Sequence, residues 1–193
     1  DVAVLCRSNA QCLNMAEALY RAGLQASIAR TGLLGSREGS LVLACLKYLL
    51  TPYDHLSATE IVVLSGEKTL ETVVDERIDW LQRDEKNTWE GDHSLIRRLN
   101  EWRPQTTNLS ASEILNLLLD ELELRRIVAT MGDAGQRLDN IERFRCLALE
   151  YESACTRLHS AASLGGFLLW LGNLERAKLD HQGAGEHEDA VRV

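Results

Sequence analysis

The sequence predicts a mainly α fold, a multi-helical body attached to a small parallel βαβ unit. Three observations predict it. Breakers are scarce, with 13 Gly and 2 Pro against 34 Leu, whereas a many-stranded sandwich or barrel needs a turn every ~8–12 residues. Capping boxes of the form Ser-x-x-Glu/Gln stand before apolar periodic runs at Ser8, Ser57 and Ser110. The start of the chain alone reads strand, helix, strand. With 193 residues the chain is long enough to bury a sizeable core.

Val2-Ala3-Val4-Leu5-Cys6 is a short apolar run with β-branched residues, the pattern of a buried parallel strand. Ser8-Asn9-Ala10-Gln11 then opens a helix with Cys12, Met15, Ala16, Leu19 and Ala22 on one face, and Gly23 stops it. Gln25 to Ala29 is a second strand. Thr31 to Arg37 is a Gly-rich turn. An apolar helix runs from Leu41 to Leu50 and closes at Thr51-Pro52. Ser57-x-x-Glu60 opens the next helix. Further helices are expected around 70–83, 94–102, 112–131, 136–158 and 164–179, the third introduced by Ser110-x-x-Glu113. On the fourth, Leu138, Ile141, Phe144, Ala148, Tyr151, Cys155 and Leu158 form one apolar stripe. His181 to Asp189 reads as a polar, acidic loop, and Ala190 to Val193 as the start of a new strand. No internal repeat or low-complexity tract appears.

Composition excludes several functions. A formal net charge of −8 rules out a polybasic nucleic-acid binder acting through bulk charge, although it leaves room for a few local phosphate or base contacts. Five Cys without a Cys-x-x-Cys pair indicate reduced thiols and a cytoplasmic location rather than a disulfide framework. No apolar run approaches the ~18–20 residues that span a membrane. Asp1-Val2-Ala3-Val4 is not the start of a signal peptide. Opening in a strand and stopping at Val191-Arg192-Val193, the chain reads as an excised piece of something larger.

Gly66-Glu67-Lys68-Thr69 superficially matches the end of a phosphate-binding loop. Glu67 interrupts Gly-Lys, however, and no Gly stands five residues upstream; a turn before a helix is the better reading. Val73-Val74-Asp75-Glu76 fits a helix N-terminus, where acids suit the dipole, better than a metal-holding acid pair. Cys155 and His159, at i and i+4, are half of a metal site at most. No metal site and no catalytic residue is assigned. Arg7-Ser8-Asn9 is more informative, since it lies at the carboxyl end of the first predicted strand, where α/β sheets present ligand-facing loops. Arg pairs with phosphate, and an Asn amide reads a base or sugar edge. The plainer alternative is a helix cap beside a solvated Arg.

The order of these segments resembles superfamily 1 DNA helicases of the UvrD/Rep/RecB/AddA type. Val2 to Gln11 is similar to that family's A-x-L-x-R-[ST]-N-x-[QE] segment. Ala16-Glu17-Ala18-Leu19 with Ala22-Gly23-Leu24 resembles its EALxxAGIP helix. Leu33 to Glu38, followed by the helix to Asp54, resembles its (F/L)(F/L)-[DE]-R-x-E block. The similarity covers roughly the first third of the chain and is looser at Leu109, Gln136 and Phe167, in the manner of the AddA/RecB branch. Asp189 to Val193 resembles the strand before the family's T-x-H-x-x-K-G-L-E motif.

The resemblance implies that residues 1–50 with 189–193 are part of the second RecA-like motor domain (2A), and that residues 51–188 are the inserted helical 2B-like subdomain. It implies an ATP-dependent helicase or helicase–nuclease that moves 3′-to-5′ on single-stranded DNA in repair or recombination, with ATP and Mg held by the parent protein and no cofactor in this segment. Carried over by position, Arg7 and Asn9 become nucleic-acid contacts. Single-stranded DNA becomes a partner, joined in the helicase–nuclease case by the other subunits of such a complex. The chain departs from the family at two points. Ser36 stands where a basic residue is usual, with Arg37 one place later. Leu64-Ser65-Gly66-Glu67 replaces the Gly-Ile-Gly hairpin of the UvrD/Rep branch, which speaks against direct duplex binding. Two alternatives remain open from the residues: an autonomous acidic α-helical protein-interaction module, and a small α/β enzyme using the Arg7–Asn9 loop.

Overall fold

A helix apolar on nearly every side is stable only where neighbours surround it. Arg37–Leu50 is such a helix, with Leu41, Val42, Ala44, Cys45, Leu46, Tyr48 and Leu49 all buried. The computed structural model describes residues 3–27, 32–82, 93–132, 134–183 and 190–192. In chain order the elements are α1 (Asn9–Arg21), β1 (Gln25–Ser27), α2 (Arg37–Leu50), α3 (His55–Leu64), α4 (Leu70–Gln82), α5 (Ser94–Thr106), α6 (Ala111–Asp120), α7 (Leu124–Ala129), α8 (Ala134–Arg157), α9 (Leu164–Arg176) and β2 (Ala190–Arg192). α2 is the hub, packing against α3, α5, α6, α8 and α9. No helix among the described residues is long and apolar enough to cross a membrane.

The ends of α2 are sealed by polar groups. Ser36 caps its start, accepting from the Gly39 N–H at 3.1 Å and donating to the Leu33 carbonyl at 2.7 Å. At the far end Arg103 of α5 donates to the carbonyls of Tyr48 (2.8 Å) and Leu49 (3.2 Å) and lies over the Tyr48 ring. Gly39 has no substitute here, because a Cβ would stand 2.1 Å from the Leu33 carbonyl oxygen.

Glu38, in the first turn of α2, is 2% exposed and receives the Arg137 guanidinium and the Asn140 amide of α8. Burial by itself would raise the Glu38 carboxyl. Hydrogen bonds from Asn140 and the backbone, the Arg137 charge and Ser36 outweigh it and hold the group below the ordinary glutamate range. Asn140 in turn accepts from the Gly183 N–H at 2.8 Å, and Gln136 donates to the Gly183 carbonyl at 2.7 Å. The same returning segment carries Asp180, whose oxygens accept from the N–H groups of Gly32, Leu33 and Leu34. β2 then pairs parallel with β1, Gln25 opposite Ala190.

The mainly α reading holds, but the predicted βαβ unit does not appear among the described residues, Val2 lying outside them. Ala3 makes a single bridge, and residues 4–6 have no regular structure. A strand needs a ladder partner as well as a suitable side-chain pattern. The second predicted strand is described over Gln25–Ser27; residues 28–30 lie outside the described residues. Of the apolar face expected on α1, the side chains described are not buried: Met15 is 37% exposed, Ala22 is exposed, and Cys12 and Leu19 are half-buried, while Ala16 lies outside the described side chains. The residues predicted to run as one helix over 112–131 form α6 and α7. Leu122 and Leu124 are both buried, yet two positions along a helix point to opposite sides. Glu123 breaks the helix in the left-handed region (φ 56°), and both leucines face the core. The Ser110 box forms as read. Ser57 does not open α3; Asp54 caps it, accepting from the Ser57 N–H and hydroxyl. α5 runs past Trp102 to Thr106, whose hydroxyl donates to the Arg103 carbonyl.

His93 caps α5 through Nδ1, which accepts from the Ile96 N–H at 3.4 Å. The neutral ring therefore carries its proton on Nε2, beside Ser65 (3.1 Å) and Glu67 (3.0 Å). Burial pushes His93 below its usual value; Glu67 pulls it back, and Lys68 pushes it down again. Protonation would also set a ring N–H against the Ile96 N–H.

Three outcomes follow for stability, each read by urea denaturation. Gly39→Ala destabilises by about 1–3 kcal/mol or more, because the Leu33 turn must move. Glu38→Ala costs about 3 kcal/mol, because it leaves Arg137 and Asn140 without their acceptor. The third concerns pH. The unfolded state takes up the His93 proton near pH ~6.5, above the folded value, so its contribution is complete above that pH and is lost as pH falls below it. His93→Asn, which caps without titrating, flattens that part of the profile.

Candidate nucleic-acid interface

Arg7 and Ser8 form the bend that leads into α1. Ser8 Oγ accepts from the Gln11 N–H at 3.3 Å, while Gln11 Oε1 accepts from the Arg7 N–H at 3.0 Å. Ser8 and Gln11 thus do the capping, as the Ser-x-x-Gln pattern indicates. Arg7 is left exposed, and Asn9 is the first residue of α1. No acid stands in the first turn of α1, so the positive helix end and the Arg7 charge act in the same sense on an anion.

An open groove of about 630 Å³ adjoins this bend. Arg7, Gln11 and Asn14 supply its polar groups, and Leu5 and Met15 are among its apolar ones. Leu5 is 98% exposed. Burial and the neighbouring Cys12 thiol push the Cys6 thiol up, so this part of the lining is uncharged at neutral pH. A guanidinium, two amides and apolar side chains in one open groove can pair with a phosphate, hydrogen-bond a sugar or base edge and lie against a base face. Of the two residues singled out by sequence, the structure puts Arg7 on the groove and Asn9 at the helix start beside it. Sequence reasoning missed Gln11 and Asn14. The spacing 11, 14, 18 along one face of α1, directly after Arg7, was the available signal.

The other sequence candidates resolve into structural roles. Gly66 turns the chain at φ +82°. Lys68 meets both oxygens of Glu76 at 2.8 Å, and Thr69 Oγ1 accepts from the Thr72 N–H at the start of α4. Asp75 and Glu76 lie in the second turn of α4 and not at a helix N-terminus as expected, because the helix already begins at Leu70. The expected helical i, i+4 pairing of Cys155 and His159 fails, because α8 ends at Arg157 and His159 sits in the following turn at φ 52°. Among the described residues no three His, Cys, Asp or Glu side chains gather as a metal site would require. Ser65, His93 and Glu67 do come together, but the Ser65 hydroxyl donates to the Val62 carbonyl, and the proton on His93 Nε2 prevents it from acting as a base toward Ser65.

No protein-family model matches the chain. It is 26% identical to the ATP-dependent DNA helicase PcrA of Bacillus subtilis (strain 168), over 79% of this chain and 23% of that protein. It is 24% identical to the A subunit of the ATP-dependent helicase/nuclease of Geobacillus thermodenitrificans (strain NG80-2), over 100% of this chain and 17% of that protein. The chain therefore spans less than a quarter of the length of these relatives, and its similarity to ATP-dependent DNA helicases is distant and partial.

Proposed function

We propose that this chain is a segment of a UvrD/Rep/RecB/AddA-type superfamily 1 helicase or helicase–nuclease, comprising the start of the second motor domain and its inserted helical subdomain. The observation that carries the reading is the parallel pairing of β1 with β2. Helices α2 to α9 leave one strand and return beside it, as an insertion in a sheet must. The order of motifs in the sequence and the two distant helicase relatives support the same reading.

In this reading the complete protein moves 3′-to-5′ on single-stranded DNA during repair or recombination, binding ATP and Mg in its first motor domain. Arg7 holds a backbone phosphate at the groove mouth, and Asn9 contacts the same strand. An acidic chain with a few local contacts suits a short stretch of track, because phosphate pairing needs local rather than net positive charge. Other subunits would join in the helicase–nuclease case.

The test uses the complete gene product and this chain side by side. Arg7→Ala with Asn9→Ala is expected to weaken single-stranded DNA binding about ten-fold and to lower the salt slope by about 1 for the lost phosphate contact. ATP turnover without DNA stays unchanged, and its stimulation by DNA falls. The isolated chain turns over no ATP. ATP hydrolysis by the isolated chain, or unaltered DNA binding in the double variant, overturns the reading.

A further inference from the structure

Among the described residues, one apolar helix face is left uncovered. α4 packs against α3, and among its residues only Val73 is buried. Trp80 turns to the same inward side, half-buried, with the Arg77 guanidinium 4.1 Å over its ring. Leu70, Val74, Ile78 and Leu81 lie on the flank beside that inward side, exposed by 58, 46, 46 and 60%. Their spacing of i, i+4, i+8 and i+11 makes one continuous stripe. Stripes of this kind, as opposed to scattered single leucines, mark association surfaces.

The chemistry of the missing cover is written along the edge of that stripe. Glu71, Asp75 and Asp79 recur at i, i+4 and i+8 immediately beside it, all exposed. The Lys68–Glu76 ion pair lies toward the opposite side of the helix. An apolar seam with an acidic rim selects an apolar seam with a basic rim, as in paired amphipathic helices. We infer that α4 docks a basic amphipathic helix of a separate polypeptide, whose apolar side chains cover Leu70, Val74, Ile78 and Leu81 and whose Lys or Arg residues meet Glu71, Asp75 and Asp79. A helix of this length, about 20 Å, gives a small and reversible contact. The inference is independent of the helicase reading.

The probe is a synthetic 18-residue helix with Leu on one face and Arg along one edge; its control carries Glu at the Arg positions. Amide shifts of the isotopically labelled chain report the site. Arg-peptide binding is expected with a Kd of about 10–100 μM at low salt, with shifts confined to α4, loss at high salt, and at least a ten-fold preference over the Glu peptide. Ile78→Gln with Leu81→Gln removes binding while leaving the urea midpoint unchanged, since both side chains are exposed. Asp75→Lys with Asp79→Lys reverses the preference toward the Glu peptide. Equal binding of both peptides, shifts outside α4, or dimerisation of the chain through this face in sedimentation overturns the inference. So does protection of an Ile78→Cys thiol from labelling in the complete gene product without any partner, because the cover would then belong to the same polypeptide.

Discussion

The oxygens of Asp180 receive the backbone N–H groups of Gly32, Leu33 and Leu34, and the carboxylate contact to Leu34 spans 146 positions of sequence. Asp180 is 3% exposed, and Leu33 and Leu34 are equally buried. Without it, buried donors would stand unpaired at about 1–3 kcal/mol each. The helical body depends on this contact for its closure. Leu33 and Leu34 can be core residues only because their backbone is satisfied by a residue from the far end of the body's sequence, and Ser36 can start α2 only because the Leu33 carbonyl is held within its reach.

The neighbouring Glu38–Arg137–Asn140 cluster extends the closure to α8. Apolar packing holds α2 among its neighbours but sets their register loosely. Directional bonds fix it: Arg137 and Asn140 meet one carboxylate, and Asn140 also receives the Gly183 N–H. At Gly183 the returning chain lies so close to α8 that a Cβ would come within 2.6 Å of the Asp139 backbone. The polar fastening therefore lies where the body meets its flanking strands, and the apolar core lies along α2. α1 and its groove stand on the other side of β1 in chain order, supported by β1.

Much of this architecture could be read from the residues. The Ser110 box and the α8 stripe from Ile141 to Cys155 involve neighbours within a few positions, and local chemistry fixes both; Leu158, expected on the same stripe, lies past the end of α8 and is 77% exposed. Of the expected strand at Val2–Cys6, the described residues keep only a single bridge at Ala3, because the run shows propensity but names no extended ladder partner. Asp54 displaced Ser57 as the α3 cap because both side chains can cap and tertiary context chose between them. Arg7 was legible as an exposed cation before a helix. The groove around it was not, since Leu5, Gln11 and Asn14 converge only once α1 has formed. Glu38 and Arg137 are separated by 99 positions, and no periodicity connects them.

Fastening the body where it begins and finishes has an evolutionary consequence. A segment whose two ends are pinned side by side behaves as a cassette. It can lengthen, shorten or diverge without displacing the strands that carry it, because doubling a loop adds only about 0.6 kcal/mol of closure cost. Selection on the helices and selection on the sheet are thereby uncoupled, and the residues that must persist through such divergence are the few at the seam, Asp180 and Gly183 among them.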